Sequence, residues 1–383
     1  MSLFTRHPRT RWIVPGAAVV LVAGVAVGAN AATTARSSGS PDLPPTTAEQ
    51  LLVDLQQPTA QALQGTATVK ADLGLPSVPG LTDAAGVTGP GPAGAQGTSG
   101  ALSLLSGTHT VRVWTDGKAS SKVAVLADGS ESDVVTNGTD LWVWSGAKRT
   151  AAHATLPASS GAKEKQRAQG FEGLTTPDAV ARAALDAVDP TTTVTADGTT
   201  RVAGHDAYEL VVDPKSSDTL VDKVVLSVDA KTHVPLRVQV YSTKRTAPVV
   251  EAGFTSVSYQ RPAASTFEFT APKGAKVTQL QVPSLSGLAL GEQGGALDAQ
   301  KPDVVGKGWD AVAVVTLTAE QRQALAGDQA GPLLRTLPTV SGDWGTGHVL
   351  TGTLFTAVLT DDGRLAVGAV PTSVVTAALA HTK

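Results

Sequence analysis

Short apolar–polar alternations separated by turn dipeptides fill the chain from His109 to Ala154. The segments HTVRVWT, KVAVLA, SDVVT and LWVWS are separated by Asp-Gly or Asn-Gly pairs at 116–117, 128–129 and 137–138. Such pairs favour the positive φ angles of tight hairpins, and a period of two is typical of strands that bury one face. The pattern therefore predicts an antiparallel meander, which a strand within GTATVKADLGL precedes.

A second meander is predicted in the later part of the chain. TTVTADGTTRVAG is predicted to turn at Asp197-Gly198, and KVVLSVD and PLRVQVYS flank a turn at 229–235. Alternation in these strands places the apolar residues on one face of the sheet. They are Tyr208, Leu210, Val212, Val224, Leu226, Val228, Leu236, Val238 and Val240.

Two helices are predicted to lie on that apolar face. Thr46 and Glu49 have the spacing of a capping box ahead of an apolar stripe that includes Leu51. A second helix is predicted from Pro177 to Val188, because its first turn contains proline and a proline follows its end. The fold class is therefore α+β: one curved antiparallel sheet with helices on its apolar face.

Two motifs in this plan resemble the LolA/RseB family of secreted half-barrel proteins. DAKTHVPLRVQVYS is similar to the family's strand–turn–strand, and STFEFTAPKGAKV is similar to its final strand. The segments GSPDLPPTTAEQLL and HTVRVW are also similar to secreted LolA-like proteins of actinomycetes. The resemblance implies a half-barrel whose concave apolar face forms a cavity that helices plug.

Composition shifts divide the chain into five parts. We predict a signal peptide at 1–31, a linker at 32–45, the LolA-like domain at 46–279, a linker at 280–305 and a C-terminal α+β module at 306–383. Three arginines precede an apolar run that ends at Ala29-Asn30-Ala31, the pattern of a cleaved export signal. An uncleaved membrane anchor is the alternative, because the run approaches the length of a bilayer span.

The C-terminal module is predicted to contain a strand in GWDAVAVVTLT, two short helices, a hairpin at Asp362-Gly363 and a final helix in TSVVTAALA. It is either a separate domain or docked on the half-barrel. In the first domain, the glycines that recur every third residue between Pro76 and Gly100 are interpreted as a loop, because so few triplets cannot support a collagen helix.

Composition excludes several classes of function. The 383 residues carry a net charge of −3, which provides no basic footprint for nucleic acid. The chain has no cysteine, which excludes disulfides, thiolate metal sites and a lipobox anchor. The histidines show no metal-binding spacing, and His205 next to Asp206 is interpreted as a turn rather than a catalytic pair. The sequence predicts no enzyme, no metal site and no cofactor.

Aromatic residues are scarce, at 4% of the chain, yet three tryptophans lie in the first meander. They are interpreted either as packed core or as the wall of the cavity that the resemblance implies. The candidate ligand-binding residues are Val111, Val113, Trp114, Trp142, Trp144, Tyr208, Leu210, Leu226 and Val238.

The resemblance implies an exported, non-catalytic protein of the cell envelope that binds an apolar ligand as a carrier or a sensor. Its partner would be a lipid or an acylated protein, whose burial contributes about 0.8 kcal/mol per CH₂. The alternative is an RseB-like regulator that binds a membrane-embedded protein such as an anti-sigma factor.

Overall fold

One large sheet of twelve strands dominates the computed structural model, which describes residues 40–56, 62–74, 106–127, 130–155, 191–279, 302–326 and 331–382. Its strands are β1 (Leu63–Asp72), β2 (Ser106–Thr115), β3 (Ser120–Ala127), β4 (Ser130–Asn137), β5 (Asp140–Ser145), β6 (Thr150–Thr155), β7 (Thr192–Val202), β8 (His205–Pro214), β9 (Val221–Asp229), β10 (Pro235–Ser242), β11 (Val250–Ser258) and β12 (Lys276–Gln279).

Two meanders join to make this sheet. Strands β1 to β6 are neighbours in chain order, as are β7 to β11, and β1 pairs with β11 in antiparallel fashion to unite them. Every neighbouring pair is antiparallel except β12 and β6. The predicted large antiparallel sheet is therefore confirmed, and its one parallel pair was not foreseen.

Where the structure describes them, the turns of the large sheet follow the predicted dipeptides with one exception. Gly138 has the expected positive φ of 62° between β4 and β5, whereas Asp128-Gly129 lies outside the described residues. The predicted turn at Asp197-Gly198 is wrong, because β7 continues through it as a bulge. The chain turns instead at Ala203-Gly204, where both residues have positive φ, 52° and 86°.

The predicted final strand is mostly not a strand. Residues 259–275, here named the crossing segment, contain a 3₁₀ turn at Ala264–Phe267 that lies against β3 and β4. They pass from β11 in the middle of the sheet to its edge at β6, where β12 pairs. Strand β12 runs in the same direction as β6, and a parallel pair of this kind requires a crossover connection.

The first helix, α1 (Ala48–Gln56), is capped one residue later than predicted. The hydroxyl of Thr47 accepts the backbone N–H of Gln50 at 3.2 Å, so Thr47 replaces Thr46 as the capping residue. The predicted helix at 177–188 lies outside the described residues, as do the signal peptide, the segment Pro76–Gly100 and most of the linker at 280–305.

A second sheet of six strands forms in the C-terminal part, in the order β13-β14-β18-β17-β16-β15. The strands are β13 (Asp303–Val305), β14 (Val312–Thr316), β15 (Thr339–Gly342), β16 (Gly345–Thr351), β17 (Thr356–Thr360) and β18 (Arg364–Gly368). The helices are α2 (Ala319–Ala326), α3 (Gly331–Thr336) and α4 (Thr372–His381). The buried side chains of Val375 and Leu379 on α4 form one core with Val312, Val358 and Val370.

Two boundaries in this part differ from the prediction. Strand β13 lies inside the segment predicted as a linker. GWDAVAVVTLT begins with a 3₁₀ turn at Gly308–Asp310, and only Val312–Thr316 is a strand.

Candidate functional site

An apolar face runs across the large sheet from β8 to β1. The registers place Leu210 opposite Leu226, Leu226 opposite Val238, Val238 opposite Ala252, and Ala252 opposite Val69. Directly opposite residues share one face of a sheet. We call this surface the apolar face; all these side chains are buried or half-buried on it.

The apolar face continues through β2 to β5. Val111 and Val113 pack with Ala67 and with the half-buried Phe254. The next row runs from Val113 to Val123, Val134 and Val143. Val134 is 43% exposed, so the apolar face reaches the surface at β4.

Helix α1 covers one end of the apolar face. Ala48 and Leu51 on the helix form a cluster with Leu210, which half-buried Tyr208 and Leu226 join. The segment preceding the helix is held by two hydroxyls of the sheet: Tyr208 donates to the carbonyl of Pro44 at 2.9 Å, and Thr199 to that of Pro41 at 2.8 Å. The helix position therefore depends on β7 and β8.

The C-terminal sheet covers the other end of the same strands. Trp309, Leu354 and Ala369 form a buried cluster with Val221 and Val240. Val212, Val224 and Val250, which belong to the apolar face, pack against it. Of the two arrangements left open by the sequence, the described residues show the C-terminal part in contact with the large sheet.

Backbone groups of the C-terminal part are bonded to the large sheet as well. The carbonyl of Ala369 accepts hydrogen bonds from the backbone of Leu220 at 2.7 Å and from the hydroxyl of Thr219 at 2.9 Å. The buried hydroxyl of Ser242 donates to the carbonyl of Thr353 at 2.7 Å. These bonds connect the second sheet to the first.

The three tryptophans of the candidate site lie on the opposite face. Trp114 pairs with Lys122, Lys122 with Val135, and Val135 with Trp142, whereas Val113 next to Trp114 belongs to the apolar face. Trp144 shares the face of Trp142. The nine candidate residues therefore form two groups: Val111, Val113, Tyr208, Leu210, Leu226 and Val238 lie on the apolar face, and Trp114, Trp142 and Trp144 lie on the other.

The crossing segment covers two of these tryptophans. The ring of Phe269 lies 5.2 Å from that of Trp142 and 6.2 Å from that of Trp144, and Trp142 stacks on His153 at 4.2 Å. Arg149 anchors the segment by donating to the carbonyl of Lys273 at 2.9 Å. Trp142 and Trp144 are thus half-buried beneath the ring of Phe269 and do not line the apolar face.

Charged residues follow the tryptophans along this second face. Lys122 lies 3.1 Å from a carboxylate oxygen of Asp133, and burial raises the pKa of Asp133 although Lys122 opposes the shift. Further along, Arg237 contacts Glu209 at 3.2 Å. A groove of about 680 Å³ opens there, lined by polar side chains from β7 to β10 and the turn after β10. Its charged residues are Asp197, Glu209, Asp222, Lys223, Lys244 and Arg245.

His205 and Asp206, the adjacent pair in the sequence, have separate partners. The ring of His205 lies 3.2 Å from the buried carboxylate of Asp229, and Asp206 bonds to Arg201. Burial raises the pKa of Asp229, but donors from the backbone of Thr232 and Lys231 and from the hydroxyl of Tyr259 outweigh burial and lower the pKa. The carboxylate organises the turn between β9 and β10.

The described residues contain neither a metal-binding cluster nor a membrane-spanning helix. Within 40–56, 62–74, 106–127, 130–155, 191–279, 302–326 and 331–382, no group of three histidine or acidic side chains is placed to hold a metal ion. In the same part of the chain, no helix has the length and apolarity that crossing a bilayer requires.

Sequence reasoning missed three aromatic residues that shape the site: Phe254, Phe269 and Trp309. Phe254 fills the apolar face between β1 and β11, and Trp309 covers its far end. Phe269 belongs to the FEF motif, for which the sequence predicts a strand. The two phenylalanines of this short motif, Phe267 and Phe269, were the only sign in the sequence that the segment packs against the sheet.

No protein-family model matches the chain, and no curated protein matches it. Among solved structures, the chain is similar to the Pseudomonas aeruginosa MucA/MucB complex, with 17% identity over 87% of this chain and 96% of that chain and a TM-score of 0.40. A LolA superfamily protein from Nitrosomonas europaea has 12% identity over 59% and 99% of the two chains, with a TM-score of 0.23.

A domain from Vibrio parahaemolyticus described as a putative outer membrane lipoprotein-sorting protein has 11% identity over 57% of this chain and 96% of its own, with a TM-score of 0.21. These neighbours are of the LolA/RseB-like kind that the two sequence motifs predicted.

Proposed function

We propose that this protein is a non-catalytic, exported binding protein of the cell envelope that holds an apolar ligand against the apolar face. The ligand is an acyl chain of a lipid or of an acylated protein, and the role is that of a carrier or a sensor. We infer from the resemblance to half-barrel proteins that this face is the concave side of the sheet. The supporting observation is the continuity of the apolar face from β8 to β5.

Helix α1 and the C-terminal part cover only the two ends of the apolar face, which favours a ligand-binding surface over a fully packed core. Helix α1 packs at Leu210, and Trp309 and Leu354 pack at Val240. Between them and towards β4 the face remains apolar, and it includes Val134 at 43% exposure. Because each buried CH₂ contributes about 0.8 kcal/mol, a chain of several carbons along this face gains substantial affinity.

Native mass spectrometry of the exported protein, followed by organic extraction, tests the proposal. We expect a discrete bound mass that extracts as lipid. Val134→Asp should remove it, because a carboxylate on the apolar face costs desolvation when an acyl chain covers it. Val367→Asp is the matched control, since Val367 is a 36%-exposed strand valine of the second sheet.

A clean unliganded mass, together with no saturable binding of a fluorescent fatty acid, would show that the apolar face is closed. Equal loss in Val134→Asp and Val367→Asp would show that lost binding reflects general damage rather than contact with the ligand.

The second candidate is a regulator that binds a membrane-embedded protein, and the polar groove favours it. Lys223, Lys244 and Arg245 line the groove together with three acidic side chains, a mixture suited to a charged protein segment. The double variant Lys223→Glu/Lys244→Glu should then abolish capture of a partner from detergent-solubilised membranes. Val134→Asp should leave that capture unchanged, which separates the two candidates.

A further inference from the structure

Three hydroxyl side chains form one row at the end of the apolar face. Ser132 on β4 lies opposite Ser145 on β5, and Ser145 lies opposite Thr150 on β6. Directly opposite Cβ atoms are about 5 Å apart, so the three hydroxyls are neighbours. The row adjoins Val125, the partner of Ser132 on β3, which packs with Val111 in the apolar cluster. We call Ser132, Ser145 and Thr150 the hydroxyl row.

The hydroxyl row has unused hydrogen-bonding capacity. The Oγ of Ser132 and the Oγ1 of Thr150 are buried without a hydrogen-bond partner, and Ser132 is only 6% exposed. Ser145 is 1% exposed, and its hydroxyl accepts a long bond of 3.4 Å from the backbone of Lys148. Because buried polar groups nearly always have partners, two buried hydroxyls in one row without a partner are candidates to bond a polar group from outside the chain.

The opposite end of the same face provides a contrast. There Ser121 lies opposite Thr136, and their hydroxyl oxygens are 2.7 Å apart, so each satisfies the other. This pair shows that two opposite hydroxyls on the same face can satisfy each other. Other buried polar atoms without a partner, those of Asp133, Ser227 and Arg237, lie on the opposite face of the large sheet.

The positions of the charged residues around the hydroxyl row indicate which kind of ligand group it can bind. Glu131 and Asp133 flank Ser132 in sequence, but alternation directs them to the other face, where both contact Lys122. In the turn after β5, the Arg149 guanidinium bonds to the carbonyl of Lys273, and Lys148 is exposed. The row itself thus offers uncharged groups that both donate and accept, which suit an ester, an amide or a hydroxyl.

We propose that the hydroxyl row is a polar subsite for the uncharged head of an amphiphilic lipid whose acyl chain lies along the apolar face. This proposal rests on the proposed function and specifies its ligand class: a neutral acyl ester or amide, such as a glycerol ester. The hydroxyls of Ser132 and Thr150 donate to the carbonyl oxygen or accept from the free hydroxyls of the head. The apolar chain then extends towards Val113 and Val134.

Binding of three probes to the delipidated full-length protein tests the subsite. The probes are 1-monoolein with a neutral ester head, oleate with a carboxylate, and 1-octadecene with no head. The double variant Ser132→Ala/Thr150→Val should lose about tenfold in affinity for monoolein, which corresponds to about 1.4 kcal/mol. Its affinity for octadecene should not fall, because the chain contacts are intact.

The matched control is Ser121→Ala/Thr136→Val, which removes the satisfied hydroxyl pair from the same face. We expect its monoolein affinity to equal that of the wild type. The melting temperature of the unliganded Ser132→Ala/Thr150→Val variant should be unchanged or higher, since it removes two orphaned groups. The control variant should melt lower.

The possible outcomes separate this proposal from the proposed function. Unchanged monoolein affinity in Ser132→Ala/Thr150→Val, with all probes still binding, overturns the subsite and leaves the apolar face as a binding surface. Tighter binding of oleate than of monoolein by the wild type overturns the neutral head. Failure of the wild type to bind any of the three probes overturns the proposed function, and the subsite with it.

Discussion

The indole N–H of Trp309 donates a hydrogen bond of 2.8 Å to the hydroxyl of Thr192, the first residue of the edge strand β7. Both side chains are buried, at 6% and 9% exposure. Because the indole also packs on Val221 and Val240, this one residue combines polar and apolar contact between the two sheets. The C-terminal part is therefore a structural component of the large sheet's covered end.

We predict that Trp309→Ala lowers the free energy of unfolding by about 3–5 kcal/mol, the usual cost of truncating a buried aromatic residue. Trp309→Phe should cost about 1–3 kcal/mol, because Thr192 is left without its donor. A double-mutant cycle with Thr192→Val, measured by urea unfolding, isolates the hydrogen bond. Strict additivity of the two single variants would show that the bond contributes nothing.

The free energy of unfolding is predicted to depend on pH through the carboxyl group of Asp229. Its pKa is lowered because donors from Thr232, Lys231 and Tyr259 outweigh burial. A carboxyl group with a depressed pKa in the folded state stabilises above its unfolded pKa of about 3.9, and this stability is lost as pH falls through the folded pKa. Asp229→Asn should therefore be less stable than the wild type by a constant amount between about pH 5 and 7.

That difference should shrink as the pH falls below about 4, because the wild-type carboxylate is then protonated. Thermal unfolding at several pH values measures it. Asp206→Asn is the control, since Asp206 bonds to the exposed Arg201 at the surface. A difference between Asp229→Asn and the wild type that persists undiminished at pH 2 would contradict the prediction.

Substitutions of Thr46 and Thr47 test which of the two residues caps α1. Thr47→Ala should lower stability by about 1 kcal/mol, because the backbone N–H of Gln50 loses its acceptor. Thr46→Ala should have almost no effect, although the sequence spacing favoured it as the cap. Denaturant midpoints of the two variants decide between the positions, and a larger loss at Thr46 would restore the original assignment.

The turn between β7 and β8 gives a stabilising variant. Ala203 has a φ of 52°, which is unfavourable for a residue with a Cβ and is tolerated better by asparagine. Ala203→Asn should therefore raise the free energy of unfolding by up to about 1 kcal/mol. Gly204→Ala, at a φ of 86°, should lower it. Thermal unfolding that shows no gain in Ala203→Asn would argue against this turn.

Phe269 tests the separation of the two faces. Phe269→Ala should shift tryptophan emission to the red and lower stability by about 2 kcal/mol, because the rings of Trp142 and Trp144 lose their cover. Binding of a fatty-acid probe should be retained, since these residues lie opposite the apolar face. Loss of probe binding at wild-type stability would instead place the tryptophans in the ligand site.

Alternation and turn chemistry made most of the fold predictable. The strands around Val113, Val123 and Val143 appear where a period of two predicted them, and Asn137-Gly138 forms its turn because glycine accepts a positive φ. The Asp197-Gly198 pair failed because the same glycine conformation also serves a β-bulge. Only pairing with β8 distinguishes the two uses.

The candidate site was predictable only in part. Leu210, Leu226 and Val238 were assigned to one face correctly, because alternation and neighbouring turns fix their register. The tryptophans were combined with them on the strength of their residue type, although Trp114 and Val113 are adjacent and must face opposite ways. The covering residue Phe269 follows its tryptophans by more than a hundred positions, so local spacing contained no information about that contact.

The sequence by itself determined the strands, the first helix and the apolar or polar character of each strand face, since these depend on neighbours within a few residues. The tertiary structure decided which covering element meets which face. The crossing segment covers the tryptophans, whereas α1 and Trp309 cover two ends of the apolar face. The tertiary structure also decided which hydroxyls have no hydrogen-bond partner, because the neighbours of each hydroxyl depend on the register of the adjacent strands.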